Sequence, residues 1–167
     1  MCFIIATPDE MALLGTVIAK QLVAGDLVLL NGELGAGKTT LTRGIGEALG
    51  VRGTVASPTF VLARTHPRHG AAPLVHVDAY RLSSAIELDD LDIDFAASIV
   101  VVEWGAGLLD GVAESWLAVD IVRPRGADTT EDGVEPREVT VTGRGPRWAA
   151  LGWLDGWLDG DPAPRVG

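Results

Sequence analysis

The sequence predicts an α/β fold in which a mixed central sheet carries helices on both faces. Three observations support this class. Apolar runs at 27–30 and 99–102 have the length and composition of buried strands. Residues 40–49 place apolar side chains at helical spacing soon after the first run. Two later runs, at 116–121 and 138–141, have the pattern of an antiparallel pair, which makes the sheet mixed.

Length and composition indicate one globular unit. The chain has 167 residues, enough for a single domain with a substantial core. Hydrophobic residues make up 47% of it, which excludes a disordered protein. We expect residues 1–160 to form this domain and residues 161–167 to be a frayed tail.

Charge and cysteine content narrow the function classes. The formal net charge is −10, so the surface repels phosphates, and a protein that grips RNA or DNA by itself is disfavoured. The single cysteine, Cys2, rules out an internal disulfide and suits a reducing compartment. The N-terminus lacks a basic leader, and no apolar run approaches the roughly 20 residues that span a bilayer. We therefore expect a soluble cytoplasmic protein that does not bind membranes.

The first predicted helix begins at Thr7. This residue suits the N-cap, Pro8 suits the first turn, and Glu10 completes a capping box. Apolar side chains at helical spacing follow between 14 and 22, and the helix should end near Gly25. We interpret this helix as scaffold for the sheet.

The stretch between the first predicted strand and its helix matches G-x-x-x-x-G-K-[ST], the P-loop pattern. With one following threonine, its residues are Gly32, Glu33, Leu34, Gly35, Ala36, Gly37, Lys38, Thr39 and Thr40. The glycines let backbone N–H groups point at an anion, and the helix start adds its positive end. Lys38 has the reach to contact β- and γ-phosphates, and the Thr39 hydroxyl suits Mg²⁺. A glycine-rich turn that binds nothing is disfavoured, because the motif is complete and correctly flanked. The motif predicts a triphosphate site and a P-loop NTPase-like three-layer fold.

The segment after the P-loop helix predicts a hairpin. Residues 60–63 and 74–78 have the composition of strands, and the polar stretch 66–72 is predicted to be the turn between them. His66 and His69 are therefore expected to be solvated. A short acidic helix is expected at 84–91.

Two features are expected towards the C-terminus. Residues 123–136 are polar and rich in glycine, proline and acids, which predicts a loop between the two antiparallel strands. Trp148, Leu151, Leu154 and Leu158 have the spacing of a last amphipathic helix.

Two predicted strands end in carboxylates, at Asp78 and Glu103. In an open α/β sheet ligands bind at the carboxyl ends of the strands, so we expect both acids near the phosphates. One would hold Mg²⁺ and the other would position the attacking water, in an order that the residues leave open. The alternative is that each acid simply meets solvent. His76 alternates with valines and faces either the site or a helix, and without a cysteine nearby it does not indicate zinc.

Missing motifs disfavour a typical GTPase and exclude an ABC-type cassette. Guanine recognition by N-K-x-D needs an asparagine, and the only one, Asn31, lies beside the P-loop. The chain also lacks the S-G-G-Q signature of ABC-type cassettes. We therefore expect ATP rather than GTP as the ligand.

Five motifs in order resemble the TsaE (YjeE) family, the small ATPases of bacterial tRNA threonylcarbamoyladenosine formation. They are G-E-L-G-A-G-K-T-T at 32–40, S-P-T-F at 57–60, H-V-D-A-Y-R-L at 76–82, E-L at 87–88 and E-W at 103–104. The resemblance extends over about residues 7–142. The sequence departs from the family pattern in three places. Gly-Ala replaces Pro-Glu at 105–106, and Met11 stands where the family often has threonine. The loop at 123–136 is longer than usual.

The resemblance implies specific roles. Lys38 and Thr39 would bind ATP and Mg²⁺, with Glu103 completing the metal and water site and Asp78 supporting hydrolysis. A switch loop that senses the γ-phosphate would consist of Ser57, Pro58, Thr59 and Phe60. Side chains that support activity would be His76, Tyr80, Arg81 and Trp104, although on general grounds Trp104 is expected in the core. Hydrolysis of ATP to ADP would reset a complex with TsaD and TsaB, which act on tRNA, so this chain would meet tRNA only through them.

Two other function classes remain open. A P-loop small-molecule kinase would need an arginine-bearing lid, which Arg64, Arg68, Arg123 and Arg125 have the chemistry to supply, and an acceptor pocket, for which no motif is present. An ATP-gated binding module would bind the nucleotide with negligible turnover.

Overall fold

The computed structural model describes residues 1–58, 62–123 and 135–157. Within these ranges the chain forms strands β1 to β7, α-helices α1 to α3 and two 3₁₀ helices. The strands are β1 Cys2–Ile5, β2 Leu27–Gly32, β3 Ala63–Arg68, β4 Ala71–Asp78, β5 Ile99–Glu103, β6 Trp116–Val122 and β7 Arg137–Arg144. The α-helices are α1 Pro8–Ala19, α2 Lys38–Leu49 and α3 Ala85–Asp89, and the 3₁₀ helices are Pro146–Trp148 and Gly152–Leu154. Each described helix is too short or too polar to cross a lipid bilayer.

All seven strands belong to one mixed sheet, in the order β1-β7-β6-β2-β5-β4-β3. The four central strands β6, β2, β5 and β4 are parallel, and the outer pairs β1–β7, β6–β7 and β3–β4 are antiparallel. This confirms the predicted α/β class with a mixed sheet. The carboxyl ends of the parallel strands lie along one edge, where β2, β4 and β5 end at Gly32, Asp78 and Glu103.

Each face of the sheet has its own apolar cluster, because successive side chains of a strand point to opposite faces. On one face α1 and α2 pack with Val28, Leu30 and Val101. On the other face Leu88 of α3 packs with Leu29, among others. Strand β5 is buried throughout, which explains its continuous run of β-branched residues.

Helices α1 and α2 touch backbone to backbone at two glycines. A Cβ atom at Gly15 would lie 2.5 Å from the Leu41 carbonyl oxygen, and one at Gly44 would collide with the Ala12 backbone. Larger side chains would separate the helices. Because α2 begins at the P-loop, this contact also fixes the direction in which the P-loop helix starts.

The start of α1 confirms the predicted N-cap. The Thr7 side chain accepts a hydrogen bond of 3.1 Å from the Glu10 N–H. The Glu10 carboxylate accepts from the N–H of Ala6, at 2.6 Å, rather than from that of the N-cap residue itself. Both backbone donors at the helix entrance are thereby satisfied.

The predicted turn at 66–72 is wrong. Strand β3 continues to Arg68, and only His69 and Gly70 separate it from β4. His66 is 4% exposed, which contradicts the expectation of a solvated side chain, whereas His69 is exposed as predicted. The polar composition misled the prediction, because an antiparallel edge strand needs to bury only one of its faces.

The predicted last helix is also wrong. Two 3₁₀ turns replace it, although Trp148 and Leu154 are buried as their spacing indicated. Pro146 begins the first turn, and Gly156, with φ of 71°, interrupts any continuous helix. Leu158 lies outside the described residues. Strand β1, which pairs with β7, was not predicted.

Candidate functional site

The P-loop connects the end of β2 to the start of α2, as predicted. Gly37 is the N-cap of α2 and has φ of 118°, a conformation that other residues rarely adopt. A Cβ atom there would lie 3.3 Å from the Met11 side chain, and one at Gly32 would lie 2.7 Å from the Ile121 carbonyl oxygen. The two glycines therefore permit both the curl of the loop and its close packing.

Lys38 is folded back onto its own loop. Its Nζ donates hydrogen bonds to the carbonyl oxygens of Gly32, at 2.7 Å, and Glu33, at 3.0 Å, and lies 3.9 Å from the centre of the Trp104 ring system. Burial lowers the pKa of Lys38, whereas Glu103, Asp78 and Glu33 oppose that shift. Because both hydrogen-bond acceptors are neutral carbonyls, the positive charge remains available to an anionic ligand.

Asp78 and Glu103 lie side by side. They occupy paired positions of the parallel strands β4 and β5, and Glu103 also pairs with Leu30 of β2. Glu103 is only 3% exposed, and its Oε1 lies 2.7 Å from the Nε2 of His76. Asp78 is half-buried, and its Oδ1 accepts a hydrogen bond of 3.0 Å from the Tyr80 N–H. The Glu103 carboxylate is thus held by a side chain in the protein interior, and the Asp78 carboxylate is held by the adjacent backbone.

A cleft of about 630 Å³ brings most of the predicted site residues together. Its lining consists of Leu34, Gly35, Gly37, Lys38, Thr39, Thr40, Ser57, Asp78, Tyr80, Glu103 and Trp104. Gly32 and Glu33 line an adjoining cavity of about 270 Å³ with Arg123. The cleft therefore joins the phosphate loop, both strand-end acids and the first residue of the predicted switch.

Other predicted residues lie outside this lining. Pro58 is buried next to Ser57, and Arg81 is exposed. The other two residues of the predicted switch, Thr59 and Phe60, fall outside the described ranges. His76 lies behind Glu103 and contacts it from the interior.

Two aromatic side chains form one wall of the cleft. Trp104 and Tyr80 meet edge to face, with ring centres 5.3 Å apart. Trp104 has φ of 63°, a conformation that costs a residue other than glycine roughly 1–3 kcal/mol, and its N–H donates to the Leu30 carbonyl oxygen at 3.0 Å. The general expectation that Trp104 belongs to the core is wrong, because the ring is half-buried and covers the Lys38 ammonium.

A smaller cavity of about 120 Å³ lies on the other side of the P-loop. Its lining includes Thr7, Met11 and Thr40, together with Glu135 and Arg137. Glu135 and Arg137 belong to no motif and were not predicted as site residues; Glu135 lies at the end of the loop predicted at 123–136, and Arg137 begins β7. The contact of Arg137 with the P-loop depends on the position of β7 in the sheet, whereas Glu135 contacts Arg123.

Glu135 and Arg137 tie the end of that loop to the P-loop. The Arg137 Nε donates to the Ala36 carbonyl oxygen at 3.2 Å. Glu135 forms an ion pair of 2.7 Å with Arg123, and the Arg123 guanidinium lowers the pKa of the Glu135 carboxyl group. The two ends of the loop predicted at 123–136 thus contact the site, and residues 124–134 lie outside the described ranges.

The donor set fits a magnesium ion bound together with phosphates. Among the described residues, no group of three or more His, Cys, Asp and Glu side chains is arranged to hold a metal alone. Mg²⁺ commonly uses only one or two carboxylates and takes its remaining ligands from phosphates and water. Thr39, Asp78 and Glu103 line the same cleft and supply such a set.

Comparison with known proteins identifies relatives over most of the chain. The family model described as "Threonylcarbamoyl adenosine biosynthesis protein TsaE" matches residues 5–130. A tRNA threonylcarbamoyladenosine biosynthesis protein TsaE of Streptomyces coelicolor is 59% identical over 140 residues, covering 81% of this chain and 92% of the relative. The protein of the same name from Bacillus subtilis is 33% identical over 147 residues, covering 86% of each chain. A crystal structure of Bacillus subtilis YdiB superposes with a TM-score of 0.69 at 30% identity, covering 89% of this chain and 88% of that one.

Proposed function

The chain belongs to the TsaE family and is a protein of tRNA threonylcarbamoyladenosine biosynthesis, and from this premise we propose that it is the ATP-binding and ATP-hydrolysing subunit of that pathway. The observation that carries the proposal is the single cleft shared by Lys38, Asp78 and Glu103. A cation and backbone donors for phosphates lie there beside two carboxylates, which is the set of groups that phosphoryl transfer to water requires.

The proposed roles follow from where each group lies. P-loop N–H groups and the Lys38 ammonium bind the β- and γ-phosphates. Thr39 and Glu103 hold Mg²⁺, which when bound neutralises phosphate charge. Asp78 supports hydrolysis at the more open side of the cleft, where a water has access to the γ-phosphorus. The water oxygen bonds to that phosphorus as the bond to the bridging oxygen breaks, giving ADP and phosphate.

The surrounding residues complete this proposal. The residues 57–60 form the switch that senses the γ-phosphate, and Trp104 with Tyr80 shields the Lys38 ammonium until phosphates replace the carbonyl oxygens. His76 and Arg81 support activity. We further propose a P-loop NTPase-like three-layer arrangement and a single ATPase domain over residues 1–160. The two packed helices on one sheet face and the short α3 on the other support the layering.

The smaller cavity is proposed to receive the ribose and purine side of the nucleotide. It adjoins the P-loop at Gly35, Gly37 and Thr40, so a nucleotide with phosphates in the loop can extend into it. Met11 supplies an apolar contact and Glu135 a hydrogen-bond acceptor there. The acceptor suits the ribose hydroxyls or the exocyclic amino group of a purine.

We predict that ATP binds more tightly than GTP. The chain lacks the motif by which guanine is usually read, and both nucleotides present identical phosphates to the P-loop. Competition of unlabelled ATP and GTP against a fluorescent ADP analogue measures the ratio, with CTP as a control for binding through phosphates alone. Equal or tighter binding of GTP contradicts the prediction.

The proposed partners are TsaD and TsaB, in the cytoplasm where tRNA is modified. The net charge of −10 favours contact with tRNA only through them. A kinase function is less well supported, because the Arg68 guanidinium is held by the carbonyl oxygens of Leu49, at 2.8 Å, and Ala72, at 3.1 Å, rather than free to form a lid.

The test of the proposed function is phosphate release from ATP by the purified chain, with and without TsaD and TsaB. We expect release without any acceptor molecule, a change of rate when both proteins are added, and ATP-dependent co-purification with them. ADP formation that requires a small-molecule acceptor, with the phosphoryl group transferred to that acceptor and no free phosphate released, indicates the kinase. ATP-dependent co-purification without phosphate release indicates the ATP-gated module.

A further inference from the structure

His76 is a fully buried polar side chain next to the proposed site. It is 0% exposed, and its Nε2 lies 2.7 Å from the Glu103 Oε1. Its other ring nitrogen, Nδ1, is buried without a hydrogen-bond partner among the described residues. Among the described residues, the one hydrogen bond of the His76 imidazole is therefore the one with Glu103.

The strand register explains why His76 contacts Glu103 from the interior. His76 pairs with Val101 of β5, two positions before Glu103, and therefore lies on the same face of the sheet as Glu103. On its other side it pairs with Arg64 of β3. Neighbouring strands thus confine the ring under the floor of the cleft, which Glu103 lines and His76 does not.

Such a contact restricts the carboxylate that receives it. A glutamate side chain has several rotamers, and a charge-assisted hydrogen bond to a buried, immobile donor selects among them. With Oε1 engaged by His76, the Oε2 atom remains for the cleft. Donation requires that the proton of His76 be on Nε2, which leaves Nδ1 as the bare acceptor in the neutral ring.

We propose that His76 is a positioning residue that acts through Glu103, with its Nε2–H holding the carboxylate so that the second oxygen faces the bound phosphates. This inference rests on the proposed ATPase function. It goes beyond the family resemblance by assigning the chemical task of His76 and the atom with which it performs that task.

The test compares two substitutions of His76. His76→Leu keeps an apolar volume but removes the donor, and we expect kcat for ATP hydrolysis to fall about 10–100-fold, as is typical for residues that orient a metal ligand. The Kd for ADP measured without Mg²⁺ should change less than about twofold, because the P-loop and Lys38 hold the phosphates. His76→Gln offers an N–H near the position of Nε2 and should recover a substantial part of kcat.

His66 provides the matched control. It is also a buried histidine on the same sheet face, one strand further from the cleft, and its Nε2 lacks a partner among the described residues. We expect His66→Leu to leave kcat within about twofold of the wild type, as for a residue outside the site. A fall in kcat equal to that of His76→Leu would show that any buried histidine matters equally, and would overturn the inference.

A spectroscopic readout of the wild-type chain depends neither on activity nor on the folding of the His76 variants. In the chain labelled with ¹⁵N-histidine and free of nucleotide, we expect a His76 ring with its proton on Nε2, and a changed signal in Glu103→Gln while the His66 signal stays in place. A bare Nε2 at His76 overturns the proposal. If the wild type releases no phosphate, the proposed function fails; if it does and His76→Leu keeps full kcat, only this inference fails.

Discussion

Lys38→Ala is expected to abolish ATP turnover while the chain stays folded. The Lys38 ammonium lines the large cleft, and its hydrogen bonds go to the neutral carbonyl oxygens of Gly32 and Glu33. A bound triphosphate would take over those bonds. Hydrogen bonds to charged groups contribute roughly 1.5–3 kcal/mol each, so we expect nucleotide affinity to fall at least about tenfold. Hydrolysis should fall further, by about 10²-fold or more, because negative charge shifts during the reaction.

The matched control is Lys20→Ala. Lys20 is the other lysine of the chain and is exposed at the C-cap of α1. Isothermal titration with ADP, phosphate release and thermal unfolding should be compared for both variants. We expect Lys20→Ala to behave like the wild type in all three assays and Lys38→Ala to match it only in unfolding. A folded Lys38→Ala protein with normal ATP turnover would remove the basis of the P-loop interpretation.

The central strands and the P-loop helix were predictable because their sequence patterns match the environment in which the fold places them. Strand β5 is apolar because both of its faces are covered, and the P-loop pattern fixes a strand before it and a helix after it. The antiparallel pair β6–β7 has enough β-branched and apolar residues to be recognised on either side of a long loop. In each case the sequence pattern reflects the environment that the fold supplies.

The edges of the sheet were not predictable in the same way. Strand β3 is polar, and its membership of the sheet depends on pairing with β4 rather than on its own composition. Strand β1 is four residues long and is defined by its pairing with β7, a segment more than 130 positions away. Local patterns carry no information about such pairings. The buried state of His66 was missed for the same reason.

In the candidate site too, the residues that belong to motifs were predictable, and the contacts that depend on strand pairing were not. Motif spacing indicated Lys38, Asp78 and Glu103, because strand ends and the P-loop must meet at one edge of a parallel sheet. Motif spacing could not predict the contacts that depend on strand register, above all the His76–Glu103 hydrogen bond and the hydrogen bond from Arg137 to Ala36. The cover that Trp104 places over Lys38 depends on a left-handed backbone conformation, which composition does not indicate.

Glu103→Gln is expected to lower kcat for ATP hydrolysis by roughly 10²-fold or more, as is typical for a group that stabilises charge mainly in the transition state. The substitution keeps the shape of the side chain and an oxygen for His76, so it removes only the negative charge at the end of β5. ADP affinity should stay within about threefold, because Lys38 and the backbone N–H groups still bind the phosphates. Glu47→Gln, at an exposed position in the last turn of α2, is the control for loss of a surface charge elsewhere on the P-loop helix.

Comparison with Asp78→Asn then separates the tasks of the two acids. Asp78 is more exposed and is held by the Tyr80 N–H, whereas Glu103 is buried and held by His76. A rigid, buried carboxylate suits a metal ligand, and a more accessible one suits a group that orients water. We therefore expect Glu103→Gln to weaken the Mg²⁺ dependence of nucleotide binding, and Asp78→Asn to lower single-turnover hydrolysis while leaving that dependence intact. The opposite pattern would exchange the two assignments. If both variants hydrolysed ATP normally only in the presence of TsaD and TsaB, the required acid would have to come from one of these proteins, and the cleft would be only half of an ATPase site.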